Sequence, residues 1–134
     1  MTGSLQVEIS PGELIDKITI LQIKEERIDD SAKRANVKLE LVTLMRSRNE
    51  SLEKSTTLDE LTTELKRVNE SLWEIEDDIR ICERDRDFST KFVELARSVY
   101  RVNDERASLK RQINELLNSS LIEEKSYVDY APQS

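Results

Sequence analysis

The sequence predicts an all-α protein, folded as an antiparallel bundle of three or four helices. Charged residues make up 37% of the 134 residues and apolar residues another 37%, whereas the chain has only two Gly and two Pro. This composition is typical of long amphipathic helices with few turns. Apolar residues also recur at alternating steps of three and four in two long stretches, which is the periodicity of a helix. The length suits a single domain.

The first helix is predicted to begin at Pro11, after an N-terminal arm of residues 1–9. Ser10 occupies the N-cap position, Pro11 the first helical position and Glu13 the third. In such a capping box the serine oxygen accepts the amide of the third residue, and the glutamate reaches back to the cap.

Residues 10–53 form either one long helix or two helices with a break, and the sequence leaves both open. Asp29-Asp30-Ser31 is polar enough to end one helix and to cap another. Apolar residues nevertheless continue at helical spacing across that point. They are Ile28, Ala32, Ala35, Leu39 and Val42.

A long helical hairpin is predicted from two heptad-patterned segments, at about residues 57–84 and 88–118. Thr57 is the expected N-cap of the first segment, as the start of a second capping box. Apolar residues repeat from Leu58 to Cys82 in the first segment and from Phe88 to Leu116 in the second. Because a short polar turn joins the segments, we expect them to pack antiparallel.

Residues 10–118 are therefore expected to form one bundle domain, followed by an extended C-terminal tail at residues 119–134. Four apolar side chains project beside or away from the main apolar stripes. We expect these four to form an interface with a second copy or another protein, or to lie centrally in the bundle. They are Ile20, Ile23, Trp73 and Ile81.

The composition also argues against several classes of function. The chain has no His and one Cys, so the usual zinc sites and a disulfide framework are not expected. Its net charge is −7 and it has no basic stripe, which argues against nucleic-acid binding. No apolar run approaches the roughly 18 residues of a membrane span, and no signal peptide is recognised. A cytoplasmic protein without membrane contact is expected.

Two charged residues interrupt the apolar stripes. Glu25 falls within the stripe of the first helix, and Arg106 takes a seam position in the last. In one interpretation the two residues pair with each other, or they meet water at an end of the bundle. In the other they line an internal polar pocket with neighbours such as Asn103 and Lys110. In the pocket, the guanidinium would bind a carboxylate or a phosphate in bidentate fashion.

A small-molecule enzyme is the alternative interpretation, acting either through the region of Glu25 and Arg106 or through an acidic metal site. Glu50-x-x-Glu53 and Glu74-x-x-Asp77 resemble the acidic pattern of all-α, magnesium-dependent nucleotide pyrophosphohydrolases. That chemistry needs carboxylates on facing helices to hold Mg²⁺ against a triphosphate. The same residues also fit a solvated outer face, which is the usual meaning of acidic runs in a chain with 28 acidic residues.

Four stretches carry a resemblance to a known family. They are Ser10-Pro-Gly-Glu-Leu-Ile-Asp-Lys-Ile-Thr-Ile-Leu21, Leu72-Trp73-x-Ile75-Glu76-x-x-Ile79, Asn103-Asp104-x-Arg106-x-x-Leu109-Lys110-x-x-Ile113-Asn114 and Glu123-Glu124-Lys125-Ser126-Tyr127. In these the chain resembles an uncharacterised family of small bacterial proteins with no assigned activity. The resemblance implies that one motif set includes Asp16, Lys17, Asn103, Asp104, Arg106 and the Glu-Glu-Lys-Ser-Tyr stretch of the tail. With Glu25 and Arg27, the candidate ligand-binding residues are Asp16, Lys17, Asn103, Asp104, Arg106 and Lys110.

The sequence therefore predicts a binding or accessory module that acts through helix-mediated oligomerisation or through a protein partner. We expect no cofactor for such a module, whereas the enzyme alternative would use Mg²⁺. The partner, the ligand and the oligomeric state do not follow from the sequence.

Overall fold

The computed structural model describes residues 3–132, and within this range it contains four helices and no strand. The helices are α1 (Pro11–Arg27), α2 (Ser31–Ser51), α3 (Thr56–Arg84) and α4 (Thr90–Leu116). The predicted all-α class is therefore confirmed. None of these helices combines the length and the apolar composition of a membrane span.

Helix α1 begins at the predicted residue, with the Ser10 half of the predicted capping box. The side chain of Ser10 accepts a hydrogen bond from the amide of Glu13 at 3.2 Å, and Pro11 is the first helical residue. The Glu13 carboxylate lies 2.8 Å from the Lys110 amine. This glutamate thereby joins the start of α1 to α4.

Residues 10–53 contain two helices and not one. Helix α1 ends at Arg27, and the Asp30 carboxylate caps α2 by accepting the Lys33 amide at 2.9 Å. Since α2 turns back along α1, it presents a different face to the protein. Leu39 and Val42, which continue the apolar stripe of the sequence, consequently lie exposed, and Val37 is buried instead.

The start of α3 differs from the prediction. Its N-cap is Ser55 and not Thr57, because the Ser55 hydroxyl accepts the Leu58 amide at 3.0 Å. The two threonines that follow Ser55 lie inside the first turn. Three consecutive hydroxyl residues all suit an N-cap, so the local sequence alone does not choose among them.

Helices α3 and α4 pack against each other and both end in the same way. Arg86 and Asn118 follow the two helices in the left-handed conformation, with φ angles of 53° and 52°. The next amides then bond back by five residues, from Asp87 to Cys82 at 2.8 Å and from Ser119 to Asn114 at 2.8 Å. These are Schellman motifs, which satisfy the last carbonyls of each helix. Helix α4 begins two residues later than predicted.

Helix α1 is the centre of the fold because it contacts each of the other three helices. The core cluster joins Ile15 of α1 to Leu58 and Leu65 of α3 and to Ile113 of α4. Ile23, which the sequence suggests as an interface residue, is only 1% exposed and belongs to this interior. A helix surrounded by three others must bury side chains on several faces.

Helices α1 and α4 approach each other closely at Gly12. A Cβ atom at this position would lie too close to the backbone oxygen of Lys110, and it would also crowd the Asn114 side chain. The amide of Gly12 donates to Asn114 Oδ1 at 2.7 Å. Glycine is needed here for the close approach of two helices, and not for a special backbone angle.

We expect Gly12→Ala to lower the free energy of unfolding by about 1–2 kcal/mol. Overpacking costs about 1–3 kcal/mol, and the better helix propensity of alanine returns at most about 1 kcal/mol. Urea denaturation followed by circular dichroism measures the difference. Gly3→Ala is the matched control, since Gly3 has no neighbouring atom within 4 Å. Equal midpoints for the two variants would contradict the close approach.

Candidate functional site

A buried ion pair joins α1 to α4. The Asp16 carboxylate is 1% exposed and lies against the guanidinium of Arg106. Arg106 Nε donates to Oδ1 at 2.9 Å, and Nη2 donates to Oδ2. Two parallel bonds of this kind fix the geometry of both side chains as well as their charge.

Two further side chains complete the surroundings of Asp16. Asn69 of α3 donates to Asp16 Oδ1 at 2.9 Å and lies 2.9 Å from the Thr19 hydroxyl. That hydroxyl donates to the backbone carbonyl of Asp16 at 2.8 Å. The network therefore ties three helices together through one carboxylate. Neither Asn69 nor Thr19 is a candidate from the sequence, and their place beside apolar seam residues is the only signal that points to them.

The structure corrects the suggested pairing of Glu25 with Arg106. The partner of Arg106 is Asp16, which precedes Glu25 by nine residues. This separation corresponds to about 13.5 Å along a helix axis, beyond the reach of a single guanidinium. Position on the apolar stripe of α1 is thus a poor guide to which carboxylate faces α4.

Asp16 also sets the protonation of its partner. The hydrogen bonds to Asp16 raise the pKa of Arg106 above its already high usual value, and they outweigh the opposing effect of burial. The guanidinium therefore stays charged at every pH at which the protein is folded.

Polar contacts repeat along the boundary between α1 and α4. Three residues of α4, spaced four apart, each contact the first half of α1. Arg106 meets Asp16, Lys110 meets Glu13, and Asn114 meets Gly12. Residues four apart lie one above the other on a helix. We call this row of three contacts the polar ladder.

The middle contact of the polar ladder involves a second carboxylate. The Lys110 amine lies 2.8 Å from Glu13 and 2.6 Å from Glu123 of the C-terminal tail. Burial alone would lower the pKa of Lys110, but hydrogen bonds to Glu123 and Glu13 more than compensate and raise that pKa. A nearly buried ammonium is thereby held charged between two glutamates.

The tail, residues 119–132, continues along the outer side of α4. Lys125 pairs with Asp104, and this hydrogen bond lowers the pKa of the Asp104 carboxyl. Further along, the rings of Tyr130 and Tyr100 lie 4.9 Å apart. A groove of about 850 Å³ remains between the tail and α4. We call it the tail groove.

A second, smaller cavity lies where α1, α3 and α4 meet. Its volume is about 440 Å³, and apolar residues that include Ile20, Ile23 and Trp73 form one side of it. Asn103 and Arg106 line both this cavity and the tail groove. Both volumes are within the range of small-molecule sites.

The structure brings only part of the predicted site together. Asp16, Arg106, Lys110, Asn103 and Asp104 lie around the polar ladder and the tail groove. The other candidates lie elsewhere or contribute less. Lys17 is exposed and contacts Glu13 at 3.7 Å, Arg27 pairs with Glu70 and Glu74 of α3, and Glu25 is partly buried outside these contacts.

The acidic residues of the metal alternative are distributed over different surfaces. The carboxylate of Glu74 contacts Arg27 at 3.4 Å, whereas Glu50 lies at the exposed end of α2. Glu53 and Asp77 are exposed as well. Within residues 3–132, no group of three or more acidic or cysteine side chains is arranged to hold a metal ion.

The helices and the buried network define an all-α protein built around one central helix. Residues 5–133 match DUF6165, a family of unknown function. Because the match covers almost the whole chain, the protein belongs to this family. Comparisons with curated proteins and with solved structures find no match.

Replacement of Asp16 by Asn should be strongly destabilising. It leaves the Arg106 guanidinium without its charged partner, and such a loss costs about 3 kcal/mol in a buried pair. Glu26→Gln is the matched control. It removes a pair with Lys66 that is half exposed, and we expect it to cost less than about 1 kcal/mol. Urea denaturation of both variants at neutral pH tests the comparison, and equal losses would argue against a structural role for the Asp16 network.

The contribution of Lys110 to the free energy of unfolding should depend on pH. Its pKa is raised above 10.5 in the folded protein, so the folded state holds this proton more tightly than the unfolded chain. The stabilisation is then fully present below pH 10.5 and is lost as the pH rises through the raised pKa. We expect the difference in unfolding free energy between the protein and Lys110→Met to shrink above this pH. A difference that stays constant at higher pH would contradict the paired ammonium.

Proposed function

We propose that this protein is a binding or accessory module that assembles with a second copy of itself through its helices. In this proposal it performs no catalysis and needs no metal, cofactor, nucleic acid or membrane. The distal half of the α3–α4 hairpin, defined here as residues 76–98, provides the contact surface.

The observation that supports the proposal is the large exposed surface of the single chain. Its accessible area is 9798 Å², whereas a compact monomer of 15.6 kDa exposes about 7,200 Å². The extended tail accounts for part of the excess, and the long helices account for the rest. A standard protein interface removes about 800 Å² from each partner. The surplus surface of the chain is therefore large enough for one such interface.

The excess lies in part where the hairpin extends past α1. Helix α3 has 29 residues and α1 has 17, which corresponds to about 43 Å against about 26 Å. Within residues 76–98 Cys82 alone is buried. Three large apolar side chains are exposed there. They are Ile81, Phe88 and Val93.

The apolar spacing in this region suits further helix packing. Ile75, Ile79 and Cys82 continue the heptad pattern of α3 beyond the part that α1 covers. Two heptad-patterned hairpins that align their distal halves would bury Ile75 and Ile79 further in a four-helix arrangement. The Phe88 and Phe92 rings, 5.3 Å apart in an edge-to-face contact, would close its end.

Sedimentation velocity tests the proposal on the intact protein at high micromolar concentration. We expect a species of twice 15.6 kDa. The double variant Ile81→Glu/Val93→Glu should give a monomer, because it places charges in the apolar contact while leaving the buried core unchanged. Leu39→Glu on α2 is the matched control, since Leu39 is also exposed but lies outside the distal half. This variant should remain a dimer.

Two results would contradict the proposal. A 15.6 kDa monomer at high concentration would exclude self-association. A dimer that survives the double variant but is lost in Leu39→Glu would place the interface on α2. Helical content from circular dichroism shows whether each variant is folded.

A further inference from the structure

The tail follows α4 in the reverse direction and contacts it through ion pairs and one aromatic pair. Glu123 binds Lys110, Glu124 lies 3.3 Å from Arg111, Lys125 binds Asp104, and Tyr130 lies against Tyr100. Two carboxylates of the tail therefore meet cations of α4, a tail ammonium meets a carboxylate, and a ring meets a ring. The contacts from Lys110 to Tyr100 span eleven residues of α4, or about 15 Å of its axis.

In the contact between Glu123 and Lys110, the fold fixes the position of the lysine. The Lys110 side chain is 9% exposed and is held in place by Glu13 as well. Its tail partner is different, because the Glu123 side chain is 61% exposed. A fixed, nearly buried ammonium thus receives a carboxylate from a segment that is almost entirely in solvent.

Arg106 adds unused binding capacity beside Lys110. A guanidinium has five N–H donors, and the two bonds to Asp16 use one edge of it. The side chain is 31% exposed and lines the tail groove. A carboxylate at Lys110 therefore lies in the field of two cations.

The tail itself is weakly held. Every residue from Ser120 to Pro132 is exposed, so the tail buries little apolar surface. Ion pairs at an exposed surface contribute little stability. The tail also does not fill the groove, where about 850 Å³ remains. These properties belong to a segment that exchanges easily.

We propose that the tail groove is a docking site for an extended segment of a partner protein that carries a carboxylate and, seven residues later, a tyrosine. The tail occupies this site within the same chain and competes with the partner. An extended segment suits the site because the tail, itself an extended peptide, makes both the contact at Lys110 and the contact at Tyr100, about 15 Å apart along α4. The proposal does not depend on self-association through the distal half of the hairpin.

A peptide with the sequence of residues 119–132 serves as the probe, labelled with a fluorophore and followed by fluorescence anisotropy. The double variant Glu123→Gln/Tyr130→Ala weakens the internal competitor in the full-length protein. We expect the peptide to bind this variant about tenfold more tightly than the unchanged protein, because a short connection gives the tail a high effective concentration. Glu50→Gln on α2 is the matched control and should bind like the unchanged protein.

The chemistry of the site is tested on the same double variant. A peptide with Gln in place of the first glutamate, at the position of Glu123, should lose most of its affinity. Addition of Asp104→Asn should also weaken binding, and this residue is exposed enough to be changed without disturbing the core. Lys110→Met should abolish binding, with circular dichroism as the check that the protein is folded.

Several outcomes would overturn the proposal. Equal affinity for the unchanged protein and the double variant would mean that the tail does not compete. Binding that is indifferent to the Gln peptide would exclude Lys110 as a carboxylate receptor. A dimer that disappears in the double tail variant would identify the docked segment as the tail of a second copy, and not as a partner's. Loss of the dimer on Ile81→Glu/Val93→Glu with unchanged peptide binding would leave the docking site intact.

Discussion

The fold depends on the need to satisfy one buried carboxylate. Asp16 lies in the interior of a central helix, where an unpaired charge would be very costly. Arg106 of α4 and Asn69 of α3 satisfy it, and Thr19 of α1 holds the Asn69 amide in place. The position of all three helices is thereby specified by a single group. Buried polar contacts of this kind select one arrangement of helices among several that apolar packing would allow.

The polar ladder extends this constraint along the first two turns of α1. Gly12 permits the helices to touch, Asn114 accepts its amide, and Lys110 holds Glu13. Because Lys110 also donates to the tail carboxylate of Glu123, the same row of side chains that positions α1 reaches the outer surface of α4. The interior of the protein and its proposed docking site are thus parts of one network.

The two proposed surfaces lie at different places on the hairpin. The distal half of the hairpin offers apolar side chains and extends beyond α1, which suits a permanent contact with a second copy. The tail groove offers charges, tyrosines and a weakly held occupant, which suits an exchangeable contact with an extended segment. A module with both surfaces would assemble with a second copy and also bind a partner segment. Neither surface requires a catalytic group.

Local signals in the sequence determined the helical class, the cap at Ser10 and the charged positions worth testing. These follow from periodicity and capping, which act within a few residues. Only the tertiary structure decided that the first segment breaks at Asp30, that Ser55 caps α3 and that Arg106 pairs with Asp16. The last contact joins residues 90 apart, whereas position on the apolar stripe of α1 had indicated Glu25. The choice depends on how the helices are rotated against each other, and that rotation results from the packing of the whole chain.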